Sequence, residues 1–254
     1  MKKLPSPYFE KDGIILYHGD CLEIGPLVRG VDMVLTDPPF KLDVKHSGTR
    51  RARKIHIYGD SESLEFSSIG FDVLRFSDLL FSAKIAVVFH SRMQLPQLVP
   101  EMARRYAYFD LHVWHKPDSP PFTQSSFKHD LQYIGVGWTK VKHKLVVPEQ
   151  KSKLYSGTHG SHASKNHPCS LPLDLVMRYL KVFGPECVLE PFCGGGSVLM
   201  AAKMLGIRAV GIEREERWCE VTAKWLETGA TSNWHAALGV GRFAGRKQWS
   251  RYAL

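Results

Sequence analysis

With 254 residues the chain can bury a full core, and 44% hydrophobic with 23% charged residues is ordinary for a globular protein. No apolar run reaches membrane-spanning length, and the basic start MKKLPSPYFEKDG leads into no apolar core, which argues against an anchor or a secretory signal. A formal net charge of +9 favours a polyanionic partner, and five cysteines (Cys21, Cys169, Cys187, Cys193, Cys219) without a CxxC pair fit a reduced, cytoplasmic protein with neither a disulfide frame nor structural zinc.

In chain order, the first strand-like run is GIILYHGD (13–20), followed by VDMVL (31–35). The second ends abruptly in Thr36-Asp37-Pro38-Pro39-Phe40, where two prolines fix φ twice and remove two backbone donors. A basic stretch follows at 41–66, with Lys45, Arg50, Arg51, Arg53 and Lys54 among few apolar residues. Strand-like runs return at KIAVVFH (84–90), FDLHVWH (109–115) and LQYIGVGW (131–138). Residues 139–168 are polar, basic and weakly periodic, and GTHGSHASKNH (157–167) reads as a loop.

Beyond the loop, LPLDLVMRYLKVFG reads as a helix with Pro172 near its first turn and Gly184 at its end. A strand at 186–192 then runs into Gly194-Gly195-Gly196, and a helix opens at Ser197 and stops at Gly206. The strand at 207–213 ends in Glu213, and a last helix carries Trp218, Val221, Trp225 and Leu226 on one side. Alternating strand and helix predicts an α/β fold with a mostly parallel sheet, as one domain over 1–254. The tail repeats the basic theme with Arg242, Arg246, Lys247 and Arg251 among aromatics.

The glycine turn between strand and helix lets backbone approach a ligand at a helix N-terminus. It is not a GxGxxG dinucleotide fingerprint, because position 199 is Leu199. An acid closing the next strand can accept hydrogen bonds from both hydroxyls of a ribose, so the unit points to a nucleoside ligand with no required phosphate.

EPFCGGGS resembles the D/E-x-F-x-G-x-G motif of S-adenosylmethionine-dependent amino-methyltransferases of DNA, and TDPPF resembles their catalytic D-P-P-Y/F. HGDCLEI (18–24) and NHPCSLPLDLVMRYL are similar to two further segments of that family, the likeness running over about 13–228. The catalytic motif precedes the cofactor motif, the permuted order of the β group. The resemblance implies a Rossmann-like methyltransferase fold, a seven-stranded sheet with helices on both faces, and S-adenosylmethionine as cofactor. It also implies catalytic roles for Asp37, Pro38, Pro39 and Phe40. Cofactor contacts carry over to Asp20, Cys21, Asp37, His167, Ser170, Glu190, Phe192, Cys193, Gly194, Gly196 and Glu213. The family's Lys in H-P-T-x-K-P is Leu171 here, which puts a charged contact from that position in doubt and leaves Lys165 as a substitute.

The expected chemistry is methyl transfer to the N6 amine of adenine in double-stranded DNA, the base being flipped into the pocket. Asp37 and the Pro38 carbonyl would each accept an amine hydrogen, and Phe40 would stack on the base. Asp heading the motif favours adenine; N4-cytosine transfer is the near alternative, and an inactive DNA-binding subunit the alternative of another class. Lys45, Arg50, Arg51, Arg53 and Lys54 would meet phosphates, and 139–166 is the candidate target-recognition insert. The implied setting is the cytoplasm of a bacterial or phage-infected cell, with monomer and homodimer both open. SPPF at 119–122 follows a polar turn rather than a buried strand and is set aside, as is Pro168-Cys169, which lies on the wrong side of the cofactor motif for carbon-5 chemistry. Twelve histidines show no ligand spacing, so no metal is assigned.

Overall fold

The computed structural model describes residues 3–39, 72–117, 130–139, 151–158 and 170–229. Over these, nine strands form one sheet in the order β1-β2-β9-β8-β3-β4-β6-β5-β7. They are β1 (Phe9–Lys11), β2 (Ile14–His18), β3 (Met33–Thr36), β4 (Ile85–His90), β5 (Tyr108–His115), β6 (Leu131–Trp138), β7 (Leu154–Ser156), β8 (Cys187–Glu190) and β9 (Arg208–Glu213). The run β2-β9-β8-β3-β4 is parallel, β6 is antiparallel to both its neighbours, and β1 is antiparallel to β2. The two three-residue strands β1 and β7 lie at the sheet's edges; without them the sheet has the expected seven. β7 falls inside the polar, weakly periodic stretch 139–168, just before the segment read as a loop, where no strand was expected.

The described helices are α1 (Cys21–Ile24), α2 (Val73–Leu80), α3 (Leu95–Arg105), α4 (Leu173–Phe183), α5 (Ser197–Met204) and α6 (Glu216–Thr228). They cover both faces, which is why the central strands are apolar throughout. Met33 and Leu35 of β3 join the core under α4, α5 and α6, whereas Val34 between them joins a cluster with Cys21 and Ile24 of α1 and Leu79 of α2. In β4, Ile85, Val87 and Phe89 face the first core, and Ala86 and Val88 pack with Leu98 and Met102 of α3. The glycines of β6 admit α3: a Cβ on Gly135 would meet Met102 at 2.5 Å and one on Gly137 would meet Tyr106 at 2.4 Å.

α4 ends as its sequence predicts, with Gly184 at φ 54° donating to the Leu180 carbonyl. The buried stripe of α6 is shifted from the expected one: Cys219, Thr222, Trp225 and Leu226 are buried, and Trp218 and Val221 are half-buried. Thr222 is tolerated there because its hydroxyl has a partner, the Gly194 carbonyl at 2.9 Å.

One carboxylate sets the alignment on which the site depends. Asp32, just before β3, accepts from the backbone N–H of Glu186 (3.0 Å) and of Cys187 (2.8 Å) at the start of β8. With Met33 opposite Val188 and Val34 opposite Leu189, the carboxyl ends of β3 and β8 finish side by side.

Candidate active site

Two turns leave the sheet at that edge, one after β3 and one after β8. Thr36, the last residue of β3 and fully buried, donates its hydroxyl to Glu190 Oε1 at 2.5 Å. The same oxygen accepts the Phe192 N–H at 3.0 Å, so the two turns share one carboxyl group. Glu190 is 3% exposed, and burial pushes its carboxyl well above the usual range, against the pull of the Thr36 and Phe192 hydrogen bonds.

The glycine turn is held from the next strand. Glu213 at the end of β9 accepts the Gly194 N–H (2.7 Å) on one oxygen and the Glu215 N–H (2.8 Å) on the other. Burial raises this carboxyl too, opposed by those backbone donors. Gly196, at φ 81°, turns the chain into α5; a Cβ there would meet the Thr222 side chain at 2.6 Å. Phe192 lies edge-on to Phe76 of α2, with centroids 5.5 Å apart.

β2 delivers a third turn to the same edge. His18 lies opposite Glu213, and the Gly19 N–H donates to the Glu213 carbonyl at 2.9 Å. Asp20 caps α1 through the Leu22 N–H (2.8 Å), and buried Cys21 has its thiol pushed up to about 12 by burial, with Asp20 adding to it. Asp20, Cys21, Asp37, Glu190, Phe192, Gly194, Gly196 and Glu213 are thus gathered from sequence-distant turns onto four adjacent strand ends.

The turn after β3 leans over the end of β4. Half-buried Asp37 receives at Oδ1 the Gln132 amide N–H at 3.4 Å, and the Pro39 carbonyl receives that of Gln94, also at 3.4 Å. Lys116 donates to the Gln132 carbonyl oxygen. Burial pushes the Asp37 carboxyl up to about 7, and the Lys116 charge and the Gln132 hydrogen bond pull it back.

One expected contact looks different in place, and the doubt over position 171 is borne out. Cys193 turns its thiol into the core, where a Cβ on Gly211 would meet it at 3.0 Å. Leu171, in the family's Lys position, is 4% exposed and packs in the same core, so no charge reaches the site from there. Ser170 is half-buried before α4. Phe40, Lys45, Arg50, Arg51, Arg53, Lys54, Lys165, His167 and most of 139–166 lie outside the described residues. Thr36, Gln94, Lys116, Gln132 and Thr222 are not marked out by the sequence reading; for Thr36, Lys116 and Gln132 the available signal is a polar residue inside or just after a strand, and Gln94 and Thr222 lie in helical segments that carry no such signal. No group of three or more His, Cys, Asp or Glu among the described residues could hold a metal ion.

A family model described as DNA methylase (N6_N4_Mtase) matches residues 31–224. The chain belongs to this family of N6/N4 DNA methylases. It is 23% identical over 253 residues to the type II methyltransferase M2.MboI of Moraxella bovis, covering 86% of this chain and 90% of that protein. Among solved structures it is similar to the M1.HpyAVI–SAM complex, with a TM-score of 0.59 at 21% identity, covering 84% of this chain and 98% of that one. The PvuII cytosine-N4-specific DNA methyltransferase gives a TM-score of 0.65 at 16% identity over 85% and 87% of the two chains. The fold is that of these methyltransferases.

Proposed function

We propose that the chain transfers a methyl group from S-adenosylmethionine to the N6 amine of adenine in double-stranded DNA, as the modification enzyme of a type II system. The observation that carries the reading is the Thr36–Glu190 hydrogen bond, which sets the Asp37-Pro38-Pro39 turn flush against the glycine turn. An acceptor for an amine and a backbone cradle for a nucleoside therefore share one edge of the sheet, where open α/β sheets bind ligands.

The donor set fits the cofactor. Both Glu213 oxygens are pinned by backbone N–H groups and keep lone pairs for ribose hydroxyls, and Gly194 and Gly196 bring bare backbone to the mouth of the turn. Asp37 and Glu213, half-buried at the mouth of the two turns, bring carboxyl groups that, when ionised, suit a positively charged ligand. S-adenosylmethionine, when bound, supplies a methyl carbon activated by its sulfonium.

The chain's own task is to make an amine nucleophilic. The lone pair of an exocyclic amine is delocalised into the base; Asp37 and the Pro38 carbonyl, each accepting an N–H, favour the pyramidal nitrogen. Both hydrogen bonds strengthen as positive charge develops, so they stabilise the transition state more than the ground state. Proline fixes the direction of its carbonyl before substrate arrives. The duplex cannot bring its base to such a pocket intact, so the target is flipped out, with Phe40 as its stacking partner. Lys45, Arg50, Arg51, Arg53 and Lys54 hold phosphates, and residues 139–166 contribute to target recognition.

The test is methyl transfer to unmethylated duplex DNA, with nucleoside digestion and mass spectrometry, in wild type and Asp37→Ala. N6-methyladenine that disappears in the variant, with S-adenosylmethionine still bound, is the expected result. N4-methylcytosine would overturn the base assignment, and transfer that survives Asp37→Ala would overturn the role of the turn.

A further inference from the structure

Among the described residues, Asp37 does not meet its buried surroundings alone. It stands at the end of a chain of three polar groups drawn from three places: the β3 turn, the first turn-proximal residues of β6, and the residue that follows β5. Gln132 is 5% exposed and lies opposite Trp114 in the β5–β6 pair. Lys116 places its ammonium 4.2 Å from the Trp114 ring centroid, and that indole is itself fixed by donating to the Gly157 carbonyl at 2.7 Å.

The order of donors and acceptors along this chain leaves no choice of orientation. An ammonium has only hydrogens to give, so the Gln132 amide must turn its oxygen to Lys116. Its NH2 then faces Asp37, and an N–H needs an acceptor. We propose that Lys116 and Gln132 are positioning residues for the methyl-transfer step, Lys116 locking the Gln132 amide so that its N–H holds Asp37 Oδ1 and leaves Oδ2 for the incoming amine. The inference rests on the assignment of Asp37 as the amine acceptor. It adds a reason why a lysine and a glutamine are placed beside that carboxyl, where a leucine would pack as well.

The pair acts on charge as well as direction. An N–H donor and a nearby cation both favour the ionised carboxylate, the only form able to accept at both oxygens. Among the described residues, two titratable groups at the ends of the strands flanking β3 do not do this. Glu190 on β8 is a carboxyl that works in the opposite sense, and His90 at the end of β4 is kept neutral by burial, its pKa pushed down to about 4.

The experiment is the pH profile of kcat, at saturating DNA and S-adenosylmethionine, for wild type, Gln132→Leu, Lys116→Met and Lys116→Arg. The expected result is an acid limb that moves up by about one pH unit in the Leu and Met variants. Their kcat would then be roughly tenfold low near pH 6.5 and close to wild type near pH 9. Lys116→Arg, which keeps a donor-only cation, should restore the wild-type limb. Neither change touches the Thr36 and Phe192 hydrogen bonds of Glu190, so a limb that moves reports Asp37.

Cofactor affinity, measured alongside, identifies any variant that has not folded, and the other variant then decides. An acid limb fixed in both variants would overturn the proposal. So would a Lys116→Met protein with a wild-type limb but a raised KM for DNA and a flatter salt dependence, since the ammonium would then be a phosphate contact. Transfer that persists in Asp37→Ala would instead remove the assignment on which the proposal stands.

Discussion

In the role proposed for it, Asp37 has to be ionised to accept an amine hydrogen although burial has removed much of its hydration. Burial raises its pKa to about 7 from an ordinary 3.8, so between those limits the folded chain binds a proton that the unfolded chain does not. The sign follows directly: this group's contribution to stability is greatest below pH 4 and declines as pH rises through 7. Asp37→Asn keeps an acceptor for Gln132 and removes the charge. At pH 8 it should be more stable than wild type by about 1–3 kcal/mol, while being unable to support transfer. Urea denaturation at pH 8 and pH 4.5 checks this: the gap in midpoint should shrink at the lower pH, and an equal gap at both would mean that the charge is not its source.

At the scale of the element, the glycine turn does more than leave space. Gly196 holds a left-handed conformation while its α-carbon faces Thr222, whose hydroxyl in turn holds the Gly194 carbonyl. Gly196→Ala therefore meets two separate obstacles, about 1 kcal/mol of backbone strain and a methyl collision at 2.6 Å. Adding Thr222→Ser removes the colliding methyl and keeps the hydroxyl, which lies 2.9 Å from the new Cβ, so in calorimetry the double variant should recover part of any lost affinity for S-adenosylmethionine, but not all of it. Full recovery would show that neither the left-handed backbone nor the remaining hydroxyl contact carries a penalty. This turn and the Asp-Pro-Pro turn were legible in the sequence because proline and glycine write backbone geometry directly into the chain. The hydrogen bonds that steady them were not. Thr36, Gln94, Gln132 and Thr222 are common polar residues whose roles depend on partners 28 to 154 residues away, and only the folded arrangement pairs them. The buried stripe of α6 was misplaced for the same reason: hydrophobicity alone passes over a threonine that is buried through its hydroxyl.

For the whole molecule, the strand runs and the parallel character of the sheet could be read from apolar runs, and 84–90, 131–138 and 207–213 agree closely with β4, β6 and β9. The order of the strands could not, because adjacency in a sheet is not a local property of sequence. That order contains a gap in time. β8 and β9, from the last third of the chain, sit between β2 and β3, which are made first. A fragment of residues 1–170 would carry seven of the nine strands and still leave β2 and β3 with open edges and no partner joining them. It should show little protection in hydrogen exchange at β2 and β3 and should aggregate, whereas adding a fragment of residues 171–254 should restore protection there; strong protection in the first fragment alone would mean that the order does not matter.

The pair that arrives last is the keystone of the sheet, and it also carries Glu190, the glycine turn and Glu213. Structural closure and the completion of the half of the site proposed to hold the cofactor are thus one event. A chain still emerging from the ribosome has its Asp-Pro-Pro turn but nothing to set it against, so on the proposed reading the ability to mark DNA comes with the finished fold and not before.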